Sequence, residues 1–329
     1  MQRVFITGAN GRVGLELVRA LCQQGQQVIG LARSEEKARA VVALGAECLV
    51  GSLAEADTLA QGLDGAEIVY HLAGGLRGDR PEESADRVNR QGMADLLQAL
   101  DRVGTGSLAS LVFTSTCAVY GHRDGLLLAE SLPPLPNTRY GRSKVAAEQL
   151  LLQASARGVP GRIVRLAAVY GPGFPFMLVD SIRRGRSFLP GTGQNIVPTI
   201  HAQDAIVGLQ RVAEQGRDGQ IYNLADTRPV RLADFYAQVQ RLVGGRGPLF
   251  WSGLLPQGLD LGLAALNERL QARLGRKPVF TTDNIRLFQN DAGMRVKKIE
   301  VELGMRWRHP WAIAGLESVL GGGSAAGGA

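Results

Sequence analysis

The sequence predicts an α/β fold built on a doubly wound parallel sheet. Short apolar runs of strand length alternate with helical patterns, near residues 2–7, 27–32, 46–51, 67–72, 110–115 and 162–168. Strands that are separated by helices pair in parallel and carry helices on both faces of the sheet. With 329 residues and 45% hydrophobic composition, the chain can bury a large core and still form a second, smaller lobe.

The division of the chain into domains follows from where this alternation stops. We predict a sheet domain over residues 1–171 together with parts of 196–224, and a lobe over 172–195 and 225–320. The lobe would cover the carboxyl ends of the strands, where doubly wound sheets bind their ligands. Residues 321–329 consist of glycine, alanine and one serine, so we expect a flexible tail that carries no fold information.

The first predicted strand runs into a glycine-rich loop, Gly8-Ala9-Asn10-Gly11-Arg12-Val13-Gly14, and a helical pattern follows. This order of strand, tight turn and helix N-terminus binds the pyrophosphate of a dinucleotide in Rossmann-type domains. Gly8 permits the turn, Gly11 lets the backbone approach a phosphate, and Gly14 allows close helix packing. Such glycines also occur in ordinary turns, but the flanking strand and helix favour an NAD(P)-binding Rossmann domain.

The end of the second predicted strand bears on the choice of cofactor. An acidic residue there would bind both ribose hydroxyls and repel a 2′-phosphate, whereas this chain has Ala32 and Arg33. We therefore predict a preference for NADP(H) over NAD(H), with Arg12 as a second cation for the same phosphate. The alternative is that Arg33 stacks on adenine or faces solvent.

A Tyr-x-x-x-Lys pair begins the helix predicted over residues 140–157, after a loop that contains Pro133, Pro134 and Pro136. Tyr140 and Lys144 lie one turn apart, so their side chains share a face. To act as a base near neutral pH, a tyrosine pKa must fall by about three units, or roughly 4 kcal/mol. The Lys144 ammonium and an oxidised nicotinamide would supply this stabilisation. A helix surface pair without chemistry is the alternative.

With these motifs the chain resembles the extended short-chain dehydrogenases/reductases of the NAD-dependent epimerase/dehydratase family, in particular the 3β-hydroxysteroid dehydrogenase and dihydroflavonol reductase branch. This family has a Rossmann-type sheet domain and a smaller C-terminal substrate lobe. The resemblance also rests on His71-Leu72-Ala73-Gly74, Val88-Asn89 with Gly92, residues 114–121, residues 165–173, His201-Ala202-Gln203-Asp204 and Ile221-Tyr222-Asn223-Leu224.

The resemblance implies a catalytic set of Thr116, Tyr140 and Lys144. Thr116 would hold the substrate oxygen and Tyr140 would exchange a proton with it. Lys144 would lower the tyrosine pKa and bind the nicotinamide ribose, while the cofactor exchanges hydride at the adjacent carbon. Ser115 and Thr114 are the alternatives for the hydroxyl role, because hydroxyl groups at a strand end can simply satisfy the backbone.

The predicted cofactor site combines the glycine loop with the residues that the resemblance implies. Ser52 stands where the family often has an aspartate that binds adenine. The full predicted set is Gly8, Asn10, Gly11, Arg12, Val13, Gly14, Arg33, Ser52, Leu53, Leu72, Ala73, Gly74, Asn89, Tyr140 and Lys144.

The expected substrate is a small, partly apolar alcohol or ketone. Enzymes of the family that act on nucleotide sugars tend to have an Asn and an Arg for the diphosphate, and this chain has Ala168 and Val197 there. Each missing charge-assisted hydrogen bond would cost roughly 1.5–3 kcal/mol. We expect substrate contacts from Thr116, Cys117, Phe174 and Phe176. Apolar residues nearby, including Met177, Leu178, Phe250 and Trp251, could equally form lobe core.

Two other functions remain as alternatives to an oxidoreductase. The first is a nucleotide-sugar epimerase or dehydratase, in which the bound cofactor is transiently reduced and then regenerated. The second is a non-catalytic NAD(P)-binding sensor or scaffold, against which the presence of Thr116, Tyr140 and Lys144 argues. The resemblance also implies a homodimer through helices near 87–103 and 140–157.

Composition excludes several classes of partner. The net charge of +7 and the pI of about 9.7 come from scattered arginines, so we expect no nucleic acid. Three cysteines (Cys22, Cys48 and Cys117) show no metal-ligand spacing and no disulfide framework. We therefore predict packing cysteines, no metal site and a cytoplasmic protein. No signal peptide is expected, since Met1 leads directly into the first strand.

An apolar stretch over residues 249–266 raises the question of a membrane segment. Pro256, Gln257 and Asp260 interrupt it, so we expect no transmembrane helix. An interfacial helix is one interpretation of the stretch. We favour the other, a helix packed within the lobe.

Overall fold

The computed structural model describes residues 1–75, 84–172, 179, 182–184, 188–189, 191–244, 250–251, 258–274 and 281–320. In chain order the strands are β1 (Arg3–Thr7), β2 (Gln27–Ala32), β3 (Glu47–Val50), β4 (Ile68–His71), β5 (Ser110–Thr116), β6 (Leu126–Leu128), β7 (Gly161–Leu166), β8 (Ala168–Tyr170), β9 (Phe188–Leu189), β10 (Ile196–Val197), β11 (Thr199–His201), β12 (Ile221–Leu224), β13 (Val230–Arg231), β14 (Phe250–Trp251) and β15 (Ala292–Met294).

Helices alternate with these strands along the described parts of the chain. They are α1 (Arg12–Gln23), α2 (Glu35–Val42), α3 (Ala56–Leu63), a π-helical turn (Arg87–Gln91), α4 (Gly92–Val103), a 3₁₀ turn (Cys117–Val119), α5 (Arg139–Ser155), α6 (Ala202–Gln215), α7 (Leu232–Val243), α8 (Leu259–Arg273), α9 (Thr282–Gln289), α10 (Lys297–Leu303) and α11 (Ala312–Leu320).

A seven-stranded parallel sheet forms the centre of the molecule, in the order β12-β7-β5-β4-β1-β2-β3. The strands predicted from the sequence are all present, and β12 adds an edge beside β7. The strand order reverses between β4 and β1, which is the switch point where a ligand crevice forms in such sheets. The doubly wound α/β fold is confirmed.

Helices cover both faces of the sheet because side chains alternate along each strand. Val4 and Ile6 point to one face, where they pack with α1, α6 and α10. Phe5 points to the other face and packs with α3, α4 and α5. All three side chains are fully buried, so the sheet is enclosed on both sides as a parallel sheet requires.

A third apolar cluster lies in the C-terminal half of the chain. It brings α7 and α11 together around Phe235, Val239 and Leu316. Residues 292–305 instead pack with the sheet: β15 pairs with β6, and Ile299 of α10 joins the cluster of β1. The division into a sheet domain and a lobe stays a prediction, and this packing shows that the chain returns to the sheet after residue 291.

Helix α8 is hydrogen-bonded to α9 but buries only part of its apolar surface. Its Ala264 is buried, but Leu263, Leu266 and Leu270 are exposed. Within the described residues, no helix combines the length and the apolar composition needed to cross a membrane. The predicted tail, 321–329, lies outside the described residues.

Candidate active site

Thr116 and Tyr140 meet at the carboxyl edge of the sheet. Thr116 ends β5 and Tyr140 lies in the first turn of α5, whose N-cap Thr138 accepts a hydrogen bond from the Gly141 N–H at 3.0 Å. A Cβ at Gly141 would lie 2.7 Å from the Ala118 carbonyl oxygen, so only glycine lets α5 approach the 3₁₀ turn this closely. The Thr116 hydroxyl, which accepts a hydrogen bond from the Ala118 N–H at 3.2 Å, lies close enough to Tyr140 to lower the pKa of the phenol.

The other two hydroxyl candidates have different surroundings. Ser115 is buried and donates a hydrogen bond to Glu148 Oε1 at 2.5 Å. Thr114 Oγ1 is buried without a hydrogen-bonding partner among the described residues. Of these three hydroxyls, the one on Thr116 is the one that lowers the pKa of Tyr140.

Lys144 is buried one turn beyond Tyr140. Its Nζ donates to the Thr114 carbonyl oxygen at 2.9 Å and lies 4.6 Å from the centre of the Phe113 ring. A Cβ at Gly74 would lie 3.0 Å from this Nζ, so the strand end after β4 passes directly over the lysine. Lys144 thus lies beside the 72–75 segment that the resemblance assigned to cofactor binding.

Asn89 holds this strand end in place. Its side-chain amide accepts from the Gly75 N–H at 3.1 Å and donates to the Gly75 carbonyl at 3.0 Å. The same amide donates to Ser143 Oγ at 2.9 Å. Asn89 is fully buried and links the 72–75 segment to α5, next to Lys144.

Burial moves the pKa values of the two predicted catalytic groups in opposite directions. It raises the pKa of Tyr140 to about 12, against a lowering by the Thr116 hydrogen bond. It lowers the pKa of Lys144 to about 7, against a raising by the Glu148 carboxylate. Tyr140 can act as a base near neutral pH only if a neighbouring cation such as Lys144 lowers its pKa. The protein by itself does not produce that shift, because the Lys144 ammonium is directed to a carbonyl group and desolvation dominates at Tyr140.

The glycine loop has the shape expected for a phosphate cradle. Gly8 has φ +73°, and a Cβ there would lie 2.6 Å from the Ala73 N. A Cβ at Gly14 would overlap the Gly8 carbonyl oxygen and lie 2.7 Å from the Ala9 carbonyl oxygen. The turn and the close helix packing therefore both need glycine, as predicted, and a Cβ at Gly11 would lie 3.1 Å from the Gly8 carbonyl oxygen.

The predicted phosphate and nicotinamide contacts lie side by side. Helix α1 begins at Arg12, within the glycine loop, so Asn10 and Val13 lie on either side of its first residues. The Leu72 N–H donates to the Thr7 carbonyl at 3.1 Å, and the Ala73 N–H donates to Thr7 Oγ1 at 3.4 Å. The glycine loop and the 72–74 segment therefore lie against each other at the switch point.

The predicted adenine end lies past β2 and β3. Arg12 and Arg33 are both exposed, and Arg33 directly follows β2. Ser52 follows β3, where its hydroxyl donates to Glu55 Oε1 at 2.8 Å and its N–H donates to the same oxygen at 2.9 Å. Glu55, which the sequence argument did not consider, thus binds the Ser52 hydroxyl that was assigned to adenine. Leu53 packs against Gly92, where a Cβ would lie 2.5 Å from Leu53 Cδ1.

The predicted substrate contacts are only partly described. Cys117 follows Thr116, and burial raises the pKa of its thiol to about 11. All three cysteines are free and half-buried. Ala168 is exposed at the start of β8, and Val197 is half-buried in β10. The other two predicted contacts, Phe174 and Phe176, lie outside the described residues, as do the nearby apolar residues Met177 and Leu178 and the side chains of Phe250 and Trp251.

A buried ion pair below the site was not anticipated from the sequence. Arg165 of β7 donates from Nη2 to Glu148 Oε2 at 2.8 Å and from Nε to Glu148 Oε1 at 3.1 Å. Both side chains are at most 3% exposed. Glu148 follows Lys144 by four residues, as Lys144 follows Tyr140, so the three share one face of α5. That spacing was the signal available in the sequence.

A second set of buried polar side chains lies around the segment from His201 to Asp204. No role in the site was predicted for this segment. Asp204 accepts from the backbone N–H groups of Arg308 and His309 at 2.9 and 2.7 Å. The rings of His201 and His309 lie 3.8 Å apart, and burial lowers the pKa of His201 to about 4. The segment therefore fastens the C-terminal part of the chain. Among the described residues, no group of three His, Cys, Asp or Glu could hold a metal ion.

This chain is similar in sequence and in fold to several known proteins. The NAD-dependent epimerase/dehydratase family matches residues 4–225. A 4-hydroxy-2-methyl-3-oxo-4-farnesyl-3,4-dihydroquinoline-1-oxide ketoreductase of Stigmatella aurantiaca is 31% identical over 278 residues, covering 78% of this chain and 82% of that protein. A decarboxylating sterol-4-alpha-carboxylate 3-dehydrogenase of Dictyostelium discoideum is 27% identical, covering 72% and 75%. The dTDP-glucose 4,6-dehydratase DesIV of Streptomyces venezuelae, solved with NAD bound, superposes with a TM-score of 0.77 at 24% identity, covering 97% and 96%.

Proposed function

Because this chain belongs to the NAD-dependent epimerase/dehydratase family of extended short-chain dehydrogenases/reductases, we propose that it transfers hydride between a nicotinamide cofactor and a small, partly apolar alcohol or ketone. The observation that carries the proposal is the placement of Thr116, at the end of β5, beside the first turn of α5, which holds Tyr140. Lys144 lies beside the 72–75 segment, and Gly8 of the glycine loop packs against Ala73 of the same segment. Proton transfer and dinucleotide binding therefore belong to one site.

The residues present fit a dinucleotide. Gly8 and Gly14 let the loop pack closely against the Ala73 backbone and against its own carbonyl groups, and the N-terminus of α1, which has no side-chain cap among the described residues, lies directly beside it. Asn10, Gly11 and Val13 would hold the pyrophosphate, and Leu72, Ala73 and Gly74 would border the nicotinamide. When bound, the nicotinamide supplies or accepts the hydride.

The chain's own residues manage the substrate oxygen. Thr116 would donate a hydrogen bond to that oxygen and fix it beside Tyr140. Since its pKa is raised to about 12, Tyr140 carries its proton at neutral pH, which is the state that protonates a carbonyl oxygen during reduction. Lys144 would bind the nicotinamide ribose and stabilise the phenolate that forms. In alcohol oxidation, the same proton returns from the substrate to Tyr140.

The preference for NADP(H) is part of the proposal. Arg33 stands after β2, where an acidic residue would select NAD(H), and its exposed guanidinium can bind a 2′-phosphate. Arg12 places a second guanidinium in the first turn of α1. A solved structure of similar fold has NAD bound. The cofactor titration must therefore compare NADP(H) with NAD(H).

The substrate class rests on two kinds of support. Ala168 and Val197 provide no charged partners for a diphosphate, and relatives that match more than two thirds of this chain include a ketoreductase and a sterol dehydrogenase. The competing function, a nucleotide-sugar dehydratase, is favoured by a Streptomyces griseus dTDP-glucose 4,6-dehydratase that is 33% identical over 170 residues, or 49% of this chain. Both functions use Tyr140 and differ in what the lobe binds.

Cofactor titration tests the proposal first. Followed through nicotinamide fluorescence, NADPH should bind more tightly than NADH, and Arg33→Ala should weaken NADPH by about 10- to 100-fold because a charge-assisted contact is lost. The matched control is Arg157→Ala, another exposed arginine, at the far end of α5. Equal or tighter binding of NADH would overturn the NADP(H) preference.

Turnover separates the candidate functions. With NADPH present, apolar ketones should be reduced with loss of nicotinamide absorbance. Conversion of dTDP- or UDP-sugars without net cofactor oxidation would favour the dehydratase or epimerase instead. Binding of neither cofactor would contradict the oxidoreductase assignment altogether.

A further inference from the structure

Helix α8 presents a stripe of leucines to solvent. Leu259, Leu263, Leu266, Leu270 and the following Leu274 are 44%, 51%, 63%, 52% and 55% exposed. They are separated by four, three, four and four residues, so they lie along one face of the helix. Scattered exposed leucines are ordinary, but a continuous stripe of this length marks an interaction surface. We call these five residues the leucine face.

Hydrogen bonds fix the orientation of the helix. Glu268 accepts from the Thr282 N–H at 2.7 Å and from the Thr282 hydroxyl at 3.2 Å, and Gln289 donates to Asp260. Both acidic side chains of α8 are thus directed towards α9, on the side where Ala264 is buried. Turning the leucines inward would break these contacts, so the leucine face is the outer surface of the folded protein.

The charges along the leucine face are positive. Arg269 and Arg273 follow Leu266 and Leu270 by three residues, so both lie along one edge of the stripe, and both are exposed. The two acidic residues of the helix are already engaged on the opposite side. A second copy seated on this face would bring like charges together, which disfavours self-association. An anionic lipid surface complements both the leucines and the arginines.

We propose that the leucine face of α8 binds the surface of an anionic bilayer, with the helix lying in the plane of the headgroups. The leucines enter the boundary of the acyl chains, and Arg269 and Arg273 pair with lipid phosphates. This inference stands apart from the proposed oxidoreductase function, since it rests on α8 and α9 alone. This mode of binding holds the protein on the membrane surface and needs no spanning helix.

Vesicle sedimentation tests the inference. The protein should sediment with vesicles of phosphatidylglycerol mixed with phosphatidylcholine, and much less with pure phosphatidylcholine. The triple variant Leu263→Gln, Leu266→Gln, Leu270→Gln should lower the partition coefficient by at least about tenfold, because apolar burial drives insertion. The double variant Arg269→Gln, Arg273→Gln should lose the preference for the anionic vesicles.

Matched controls keep the test interpretable. Leu126→Gln with Leu135→Gln changes two leucines that are each 60% exposed but lie off α8, and should leave vesicle binding unchanged. Circular dichroism and the NADPH titration check that each variant is folded. Absence of sedimentation with either vesicle, or binding that the triple variant retains, would overturn the inference. So would a dimer that the triple variant converts to monomer in sedimentation velocity without any vesicle binding.

Discussion

At the scale of single residues, the site depends on how burial changes the ionisation of two neighbouring groups. Tyr140 is held as a neutral phenol, with its pKa raised to about 12. The pKa of Lys144 is lowered to about 7, so near neutral pH this lysine is only partly charged. Negative charge brought near Lys144 would favour its protonated form. Desolvation is therefore the main cause of both shifted pKa values, that of the acid Tyr140 and that of its assisting cation Lys144.

Replacement of Tyr140 by phenylalanine tests its role as proton donor. Tyr140→Phe should lower kcat for the substrate found by the ketone screen by about 10²- to 10⁴-fold, because the positioned acid is lost. The Kd for NADPH should change by less than about threefold. Tyr222→Phe is the control, since the Tyr222 hydroxyl bonds the Arg217 N–H away from the site. If Tyr140→Phe keeps most of its kcat, another group exchanges the proton.

At the scale of elements, the Glu148–Arg165 pair joins α5 to β7, and Ser115 extends the contact to β5. These are the elements that carry Tyr140, Lys144 and Thr116. Arg165 also lies 4.8 Å from the centre of the Tyr120 ring, whose hydroxyl donates to Asn223 Oδ1 at 2.8 Å. The pair therefore fixes the spacing of the site from below.

Removing one partner of this pair should be costly. Glu148→Gln leaves the Arg165 guanidinium buried without a counter-charge, and we expect the free energy of unfolding to fall by about 3–5 kcal/mol. The double variant Glu148→Leu, Arg165→Met should recover much of this loss, since no unpaired charge remains. Urea unfolding measures both changes.

An exposed ion pair provides the control for this comparison. Asp57→Asn breaks the Arg102–Asp57 pair, whose side chains are 52% and 95% exposed, and should cost no more than about 1 kcal/mol. A double variant as unstable as Glu148→Gln would show that an unpaired charge does not cause the loss.

At the scale of the whole molecule, hydrogen bonds hold the C-terminal segment against residues 204–227. Besides the Asp204 contacts, Trp307 donates from Nε1 to the Ala225 carbonyl at 2.9 Å, and Thr227 donates to the Pro310 carbonyl at 3.2 Å. Asp226 lies within this junction, 5% exposed, and accepts from Thr199 Oγ1 at 2.9 Å. The homodimer implied by the resemblance stays a prediction.

Asp226 should make the stability of the protein depend on pH. Burial raises its pKa from 3.8 to about 7, so the folded state holds this proton more tightly than the unfolded state. Between those two values the unfolded state binds fewer protons, and stability therefore falls as pH rises. We expect a loss of roughly 2–4 kcal/mol across this window.

Asp226→Asn should remove this loss, and urea unfolding at a series of pH values measures the difference from the parent protein. Asp64→Asn, at an exposed position, controls for the substitution itself. A difference between parent and Asp226→Asn that does not change with pH would contradict the assignment.

The sequence by itself determined the fold and the components of the site. Strand and helix periodicities, the glycine loop and the Tyr140–Lys144 spacing are local patterns, and local patterns depend only on neighbouring residues. The sheet agrees with these predictions, as do the positive φ of Gly8 and the close approach of Gly14 to the loop backbone. The roles assigned to Thr116, Tyr140 and Lys144 stay predictions. Helix α8 was also visible as an apolar stretch.

Only the tertiary structure decided what surrounds those components. It set the direction of the Tyr140 pKa, because desolvation depends on which distant segments cover the ring. It directed the hydroxyls of Ser115 and Ser52 to the carboxylates of Glu148 and Glu55, because the acceptor of a hydroxyl group depends on the folded arrangement. It turned the leucines of α8 outward through contacts with Thr282 and Gln289. Burial and hydrogen-bond partners belong to the folded arrangement, and no single stretch of sequence contains them.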